Sequence, residues 1–331
     1  MSRFFTQRLA KLTPYTPGEQ PRDMQYIKLN TNESPFPPSP AVIEAAKAEA
    51  GRLQLYSDPT CRELTDKLAS LYGVAPAQVI LTNGSDEVLN FAFMAFADED
   101  HPLVFPAITY GFYPVFAELN RIPYEEIPLK EDFSVDYRDY LNLGGKTIVI
   151  ANPNAPTGLC LTLAEIEEIV RTNPDGVVVI DEAYVDFGAE SAVTLTDKYD
   201  NLLVTQTFSK SRSLAGARLG FGIGNKALIA DLHTVRYSTN PYNVNRMTAA
   251  AGYAALCSDL LGKALGALQI QIQQSHLGAC SGQHLGKFTA QHAAGARDNG
   301  NLAAEIGVQY VCLHWYILTF RWPFHRPQTI R

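Results

Sequence analysis

Five short, almost wholly apolar runs constrain this chain more than any other feature. They are Val79-Ile80-Leu81, Leu103-Val104-Phe105, Thr147-Ile148-Val149-Ile150, Val177-Val178-Val179-Ile180 and Leu202-Leu203-Val204, with helical stretches between them. None alternates apolar with polar residues. Each run therefore needs cover on both faces, which is the condition of a strand inside a mostly parallel sheet flanked by helices. The pattern predicts an α/β fold, with helices over Ala41–Leu53, Cys61–Leu71 and Glu87–Ala97. Residues 1 to about 40, rich in Pro and polar side chains, read as an extended arm. At 331 residues the chain exceeds the usual single core, so two domains are expected. In sheets of this class ligands sit beyond the carboxyl ends of the strands. The residues that follow each run are therefore the candidates for function.

Charge and cysteine usage narrow the classes. A formal charge of -7 and the absence of a basic stripe argue against a nucleic-acid partner. The start, Met1 to Arg8, has no apolar core of signal-peptide length. The run Val308–Phe320 is broken by Gln309 and His314 and is too short to span a bilayer. Five scattered cysteines without paired spacing fit a reduced compartment rather than a disulfide framework or a metal site, so the cytoplasm is the expected location and no metal is expected.

The segments after the runs carry the chemistry. Beyond Leu202–Val204 stands Thr207-Phe208-Ser209-Lys210, with Arg218 eight residues past the lysine. An amine in a small, hydroxyl-rich turn suits an aldehyde cofactor, and the hydroxyls and guanidinium suit its phosphate. A lone lysine is usually only a solvated surface residue. Gly84-Ser85-Asp86, after the first run, offers backbone N–H groups and a helix N-terminus to an anion. By itself this is ordinary helix-start punctuation. Tyr110, in Pro106-Ala107-Ile108-Thr109-Tyr110-Gly111, suits stacking on a flat heteroaromatic ring, or packing under a loop. The turn Asn152-Pro153-Asn154-Ala155-Pro156-Thr157-Gly158 is stiff enough to aim a side-chain amide, or is a plain tight turn. Asp181, in Asp181-Glu182-Ala183-Tyr184, ends a buried run, where a carboxylate is costly unless paired. A protonated pyridine nitrogen is a fitting partner. Mg²⁺ is the competing partner, but no Walker-type glycine loop precedes it.

Together these segments resemble the fold-type I pyridoxal-phosphate aminotransferases, and within them the histidinol-phosphate aminotransferase family. The narrower resemblance rests on Leu12-Thr13-Pro14-Tyr15-Thr16-Pro17-Gly18, Leu29-Asn30-Thr31-Asn32-Glu33-Ser34-Pro35, Tyr56 with Asp58-Pro59, and Pro241-Tyr242-Asn243-Val244-Asn245. It runs from about Leu12 to about Leu256. It implies a mostly parallel seven-stranded sheet in a large domain over residues 41–245, an arm over 1–40 and a smaller C-terminal domain over 246–331. It implies transfer of an amino group from L-histidinol phosphate to 2-oxoglutarate in histidine biosynthesis, with pyridoxal 5'-phosphate as cofactor. Lys210 would form the Schiff base and carry the proton, Asp181 would pair with the pyridine nitrogen and Tyr184 would bond the ring oxygen. Tyr110 would stack on the ring. Gly84, Ser85, Asp86, Thr207, Ser209 and Arg218 would hold the phosphate. Tyr56 would reach the phosphate of a neighbouring subunit, which implies a homodimer with shared sites. Tyr15, Asn32 and Tyr242 would lie near the substrate.

Two departures stand out. The superfamily's asparagine before Pro-Thr-Gly is Ala155 here, so either Asn154 takes over its contact with the ring oxygen or Tyr184 makes it alone; Asn154 is the assignment adopted. After Leu256 the character changes: both tryptophans, five of seven histidines and three of five cysteines lie beyond it. The Leu-Arg-Ile-Ser-type strand of the family is not found, Leu318-Thr319-Phe320-Arg321-Trp322 is only a faint echo, and the chain is shorter than the resemblance implies. A shifted reading frame near residues 257 to 270 accounts for all of this, and a divergent small domain is the alternative. The competing functions are another fold-type I enzyme, an aromatic aminotransferase or a phospho-amino-acid decarboxylase, and a product impaired by its C-terminal part.

Overall fold

The computed structural model describes residues 2–6, 9, 12–18 and 30–257. Most of the C-terminal domain expected over 246–331, including the stretch where the reading frame is in question, lies outside the described residues. So do 19–29 of the arm.

Seven strands form one sheet in the order β1-β7-β6-β5-β4-β2-β3. The strands are β1 (Val79–Thr82), β2 (Leu103–Pro106), β3 (Tyr124–Ile127), β4 (Thr147–Ala151), β5 (Val178–Asp181), β6 (Leu202–Thr207) and β7 (Gly220–Gly224). All pairings are parallel except those of β7, which runs antiparallel to both β1 and β6. The five apolar runs are thus β1, β2, β4, β5 and β6, and the mostly parallel seven-stranded sheet is present.

Among the described residues, six helices flank the strands: α1 (Pro40–Ala50), α2 (Arg62–Tyr72), α3 (Ser85–Phe96), α4 (Phe112–Asn120), α5 (Leu163–Thr172) and α6 (Lys226–Thr239). Residues 246–257 are also helical. Their starts and stops follow local chemistry. Pro40 opens α1 where its missing N–H costs nothing. Gly73 closes α2 in the left-handed conformation, with φ 71°. Thr162 and Glu165 form a reciprocal capping box at the start of α5.

Strand alternation divides the core into two layers. Ile148, Ile150, Val178, Ile180, Leu202 and Val204 pack with residues of α1, α2 and α5. Leu103, Phe105, Val149, Val179 and Leu203 pack with residues of α3, α4 and α6. Successive residues of a strand therefore serve opposite faces. Just past the carboxyl ends of β4, β5 and β6, this parity decides which side chains enter the site and which turn away from it.

Candidate active site

A cleft with about 570 Å³ of empty space, its open mouth included, lies at the carboxyl ends of these strands. Ser85, Asp86, Tyr110, Asp181, Tyr184, Thr207, Ser209, Lys210 and Arg218 all line it, beside Ala151, Pro153, Ala155 and Ala183.

The wall formed by α3 is built by a close approach. Gly84 precedes the helix at φ 79°, a conformation that side chains rarely adopt, and a Cβ there would stand 2.5 Å from Arg218 Nη2. Behind it, a Cβ on Gly220 of β7 would lie 2.2 Å from the Ser85 backbone nitrogen. β7 and the start of α3 can approach this closely because residue 220 is glycine, while at Gly84 the positive φ rather than the movable tip of Arg218 disfavours a side chain. Asp86 gathers the neighbours: its Oδ1 accepts from Tyr110 Oη at 2.8 Å and its Oδ2 from Arg218 Nη2 at 2.8 Å. Burial, with the Asp86 charge beside it, raises the Tyr110 hydroxyl pKa and keeps the phenol neutral. Across the cleft, Ser209 donates its backbone N–H to Thr207 Oγ1 at 3.1 Å, and the two hydroxyl oxygens lie 3.0 Å apart.

The floor is Asp181. It is 4% exposed; Tyr113 Oη donates to its Oδ2 at 2.9 Å, while its Oδ1 is buried with no hydrogen-bond partner. Burial pushes this carboxyl up to about 6, offset in part by the Tyr113 hydrogen bond. Lys210 Nζ stands 5.5 Å from the centre of the Tyr184 ring and donates to the Thr31 carbonyl at 3.0 Å. Asn32 Nδ2 donates to Tyr184 Oη at 2.9 Å, which brings the segment after the arm against the site.

The remaining candidates are placed differently. Asn154 is 3% exposed and its amide is engaged in the loop wall: Oδ1 accepts from Thr109 Oγ1 at 2.7 Å, and Nδ2 donates to the Ile108 carbonyl at 3.0 Å and to Thr157 Oγ1 at 3.2 Å. Tyr15 packs on Phe112, ring centres 4.4 Å apart, and Phe112 on Tyr110. Tyr56 and Tyr242 stack on each other at 4.6 Å and are 80% and 44% exposed; neither is among the residues that line the cleft.

The family model for aminotransferase class I and II matches residues 24–282. The chain is 53% identical over 258 residues to the histidinol-phosphate aminotransferase of Brachyspira hyodysenteriae, covering 77% of this chain and 73% of that protein. It is 52% identical over 260 residues to histidinol-phosphate aminotransferase 2 of Dechloromonas aromatica, with the same shares covered. The chain belongs to the histidinol-phosphate aminotransferase family, within aminotransferase class I and II. In fold it is similar to the Sinorhizobium meliloti histidinol-phosphate aminotransferase solved in complex with pyridoxal-5'-phosphate, with TM-score 0.63, 24% identity, and 74% of this chain and 70% of that one covered. It is also similar to a Thermus thermophilus aspartate aminotransferase variant, with TM-score 0.67, 21% identity, and 83% and 77% covered.

The residues at hand fit the cofactor of this family. Asp181 Oδ1 is an orphaned acceptor on the floor of the cleft, which a protonated ring nitrogen would satisfy. The N–H groups at the start of α3, with Arg218, Thr207 and Ser209, match the donor set that a phosphate monoester needs. Lys210 brings an amine into the same cleft, as an aldehyde cofactor would require. One contributor escaped the sequence reading: Tyr113, wholly buried and bonded to Asp181. Its signal is its place three residues past Tyr110, one helical turn along the same aromatic-rich start of α4.

Proposed function

We propose that this chain transfers the amino group of L-histidinol phosphate to 2-oxoglutarate, giving imidazole acetol phosphate and L-glutamate, with pyridoxal 5'-phosphate held in the cleft. The observation that carries this reading is the orphaned Oδ1 of buried Asp181 in one cleft with the Lys210 amine and the anion-binding start of α3. The identity to named histidinol-phosphate aminotransferases supports the substrate.

When bound, the cofactor supplies an aldehyde that takes up the substrate's amino group and a ring that takes up the electron pair left at Cα. The protein orients and moves protons. Asp181 would hold a proton on the pyridine nitrogen, and Tyr113 fixes Asp181 by donating to its second oxygen. Tyr110, its hydroxyl tied to Asp86, would stack on the ring. Tyr184 donates to the ring oxygen. The Asn154 amide, expected at the ring oxygen, already bonds Thr109, Ile108 and Thr157, so it would hold the Thr109–Tyr110 loop and leave that contact to Tyr184 alone. Gly84, Ser85, Asp86, Thr207, Ser209 and Arg218 hold the phosphate. The Lys210 amine would be the group that takes the substrate's Cα proton and gives it back, a general-base role contributing roughly 10²–10⁴-fold. Tyr15 and Asn32 line the substrate's approach, and Asn32 already reaches Tyr184.

The active unit is a homodimer in the cytoplasm, with a cofactor-holding domain over residues 41–245. Tyr56, with Leu53 and Leu55 at 58% and 52% exposure, forms an apolar surface suited to a second copy, and from there Tyr56 reaches the partner's phosphate site beside Tyr242. Among the described residues no helix is long and apolar enough to cross a membrane.

The direct test is product formation from L-histidinol phosphate and 2-oxoglutarate, with L-histidinol and L-phenylalanine as competing donors. Glutamate and imidazole acetol phosphate in equal amounts, with a strong preference for the phosphorylated donor, are the expected result. Cofactor-loaded protein that makes glutamate as readily from phenylalanine would transfer the assignment to an aromatic aminotransferase.

A further inference from the structure

The parity of β5 and β6 sets two side chains directly behind the site. Asp181 and Thr207 line the cleft, so their neighbours Glu182 and Gln206 fall on the opposite face. The register pairs Asp181 with Thr205, and the Glu182 backbone N–H donates to the Thr205 carbonyl at 2.8 Å. Glu182 and Gln206 are 1% and 2% exposed. The Glu182 carboxylate is fully engaged. Its Oε1 accepts from the Ala192 backbone N–H at 2.6 Å; its Oε2 accepts from Ser191 Oγ and from Gln206 Nε2, each at 2.7 Å. Gln206 Oε1 in turn accepts from Tyr72 Oη, at the end of α2, at 2.6 Å.

Stability alone does not account for this arrangement. A buried carboxylate beside another buried carboxylate is expensive, and an apolar pair of similar volume would fill the space more cheaply. Burial pushes Glu182 up to about 7, and the neighbouring Asp181 charge adds to the rise. What an apolar pair lacks is direction. Glu182 fixes Gln206 by a charge-assisted hydrogen bond, Gln206 immediately precedes Thr207, and the turn from Thr207 to Lys210 follows.

We propose that Glu182 is a positioning residue: through Gln206 it clamps the ends of β5 and β6, and so fixes the separation between the Asp181 carboxylate and the Lys210 turn. This rests on the reading of the cleft as a pyridoxal-phosphate site. The clamp sets how well one ring can satisfy Asp181, the phosphate cup and Lys210 at once, and small misplacements in such a constellation are costly.

The test is Glu182→Gln, whose single carbonyl oxygen cannot accept from both the Ala192 N–H and the Gln206 amide, so its N–H₂ faces one of these donors, with the swapped pair Glu182→Gln/Gln206→Glu, which restores one donor and one acceptor. Gln206→Met leaves Glu182 its Ser191 and Ala192 donors and is the gentler break should Glu182→Gln fail to fold. Three quantities are read: the cofactor dissociation constant of stripped protein, kcat and KM at saturating cofactor, and the thermal midpoint of stripped protein. The single variants are expected to bind cofactor on the order of tenfold more weakly and to lose about tenfold in kcat, with donor KM within about twofold; the swapped pair recovers both to within about threefold. Variants that lose only thermal midpoint, or a swap that recovers nothing, would overturn the clamp while wild-type binding leaves the site assignment intact. Wild-type protein that binds no pyridoxal phosphate would overturn both.

Discussion

At the scale of single residues, the site is defined by one acid that burial makes uncomfortable. Burial pushes the Asp181 carboxyl up to about 6 against an ordinary 3.8, so its charged form is disfavoured by folding. The sign follows from linkage. A raised folded pKa leaves stability intact below about pH 4 and removes it as pH rises through about 6, by on the order of 3 kcal/mol from this group. Asp181→Asn removes the buried charge and keeps an acceptor for Tyr113. The stripped variant should therefore be more stable than stripped wild type at pH 8 and nearly equal to it at pH 4, as read by denaturant titration. A gap that does not change with pH would mean Asp181 has another partner. With cofactor present the order reverses, and turnover of the variant falls by at least about 100-fold, since the charge opposite the ring nitrogen is gone. For Lys210→Ala, reduction with borohydride should leave no cofactor attached to the chain; covalent retention would place the Schiff base on another lysine.

At the scale of elements, apolar signal separates the strands that the sequence announces from those that it does not. The five strands flagged by their apolar runs are buried along their length, and hydrophobicity alone announces such strands. The other two are silent for physical reasons. β3 is an edge strand, Tyr-Glu-Glu-Ile, exposed along most of its length. β7 reads Gly-Phe-Gly-Ile-Gly, a poor strand by propensity, because backbone and side chains on either side leave no room for larger residues. The candidate site was legible to a similar extent and for a similar reason. Asp181, directly after an apolar run, and Lys210, in the hydroxyl-rich turn beyond another, are marked by position. Tyr113 and Glu182 are defined by what they touch across 68 and 24 residues of sequence, to Asp181 and Gln206, which no local pattern encodes. Gly220→Ala tests the importance of the close approach. Its Cβ would meet the Ser85 backbone, so either α3 or β7 must shift. The expected cost is about 1–3 kcal/mol in stability together with weaker cofactor binding, measured by thermal unfolding with and without cofactor. Loss of stability with unchanged affinity would show that the start of α3 does not hold the phosphate.

At the scale of the whole molecule, the sheet aligns five strand ends and the loops convert that alignment into a cleft. The Tyr56–Tyr242 pair stands apart from its own cleft on a surface of exposed aromatic and leucine side chains. If Tyr56 serves a second copy, Tyr56→Ala and Lys210→Ala are defective in different subunits' contributions to one site. Mixing the two variants under conditions that exchange subunits should then restore activity that neither shows alone, and sedimentation should show dimers. Absence of complementation in confirmed mixed dimers would confine each site to one subunit. The central claim is that the cleft holds pyridoxal phosphate and accepts L-histidinol phosphate as amino donor. The visible absorption spectrum of cofactor-loaded protein, recorded before and after adding L-histidinol phosphate with no oxo acid present, tests it most directly. The visible band is expected to give way to the shorter-wavelength band of the cofactor's amine form. A visible band that the donor leaves unchanged would contradict it.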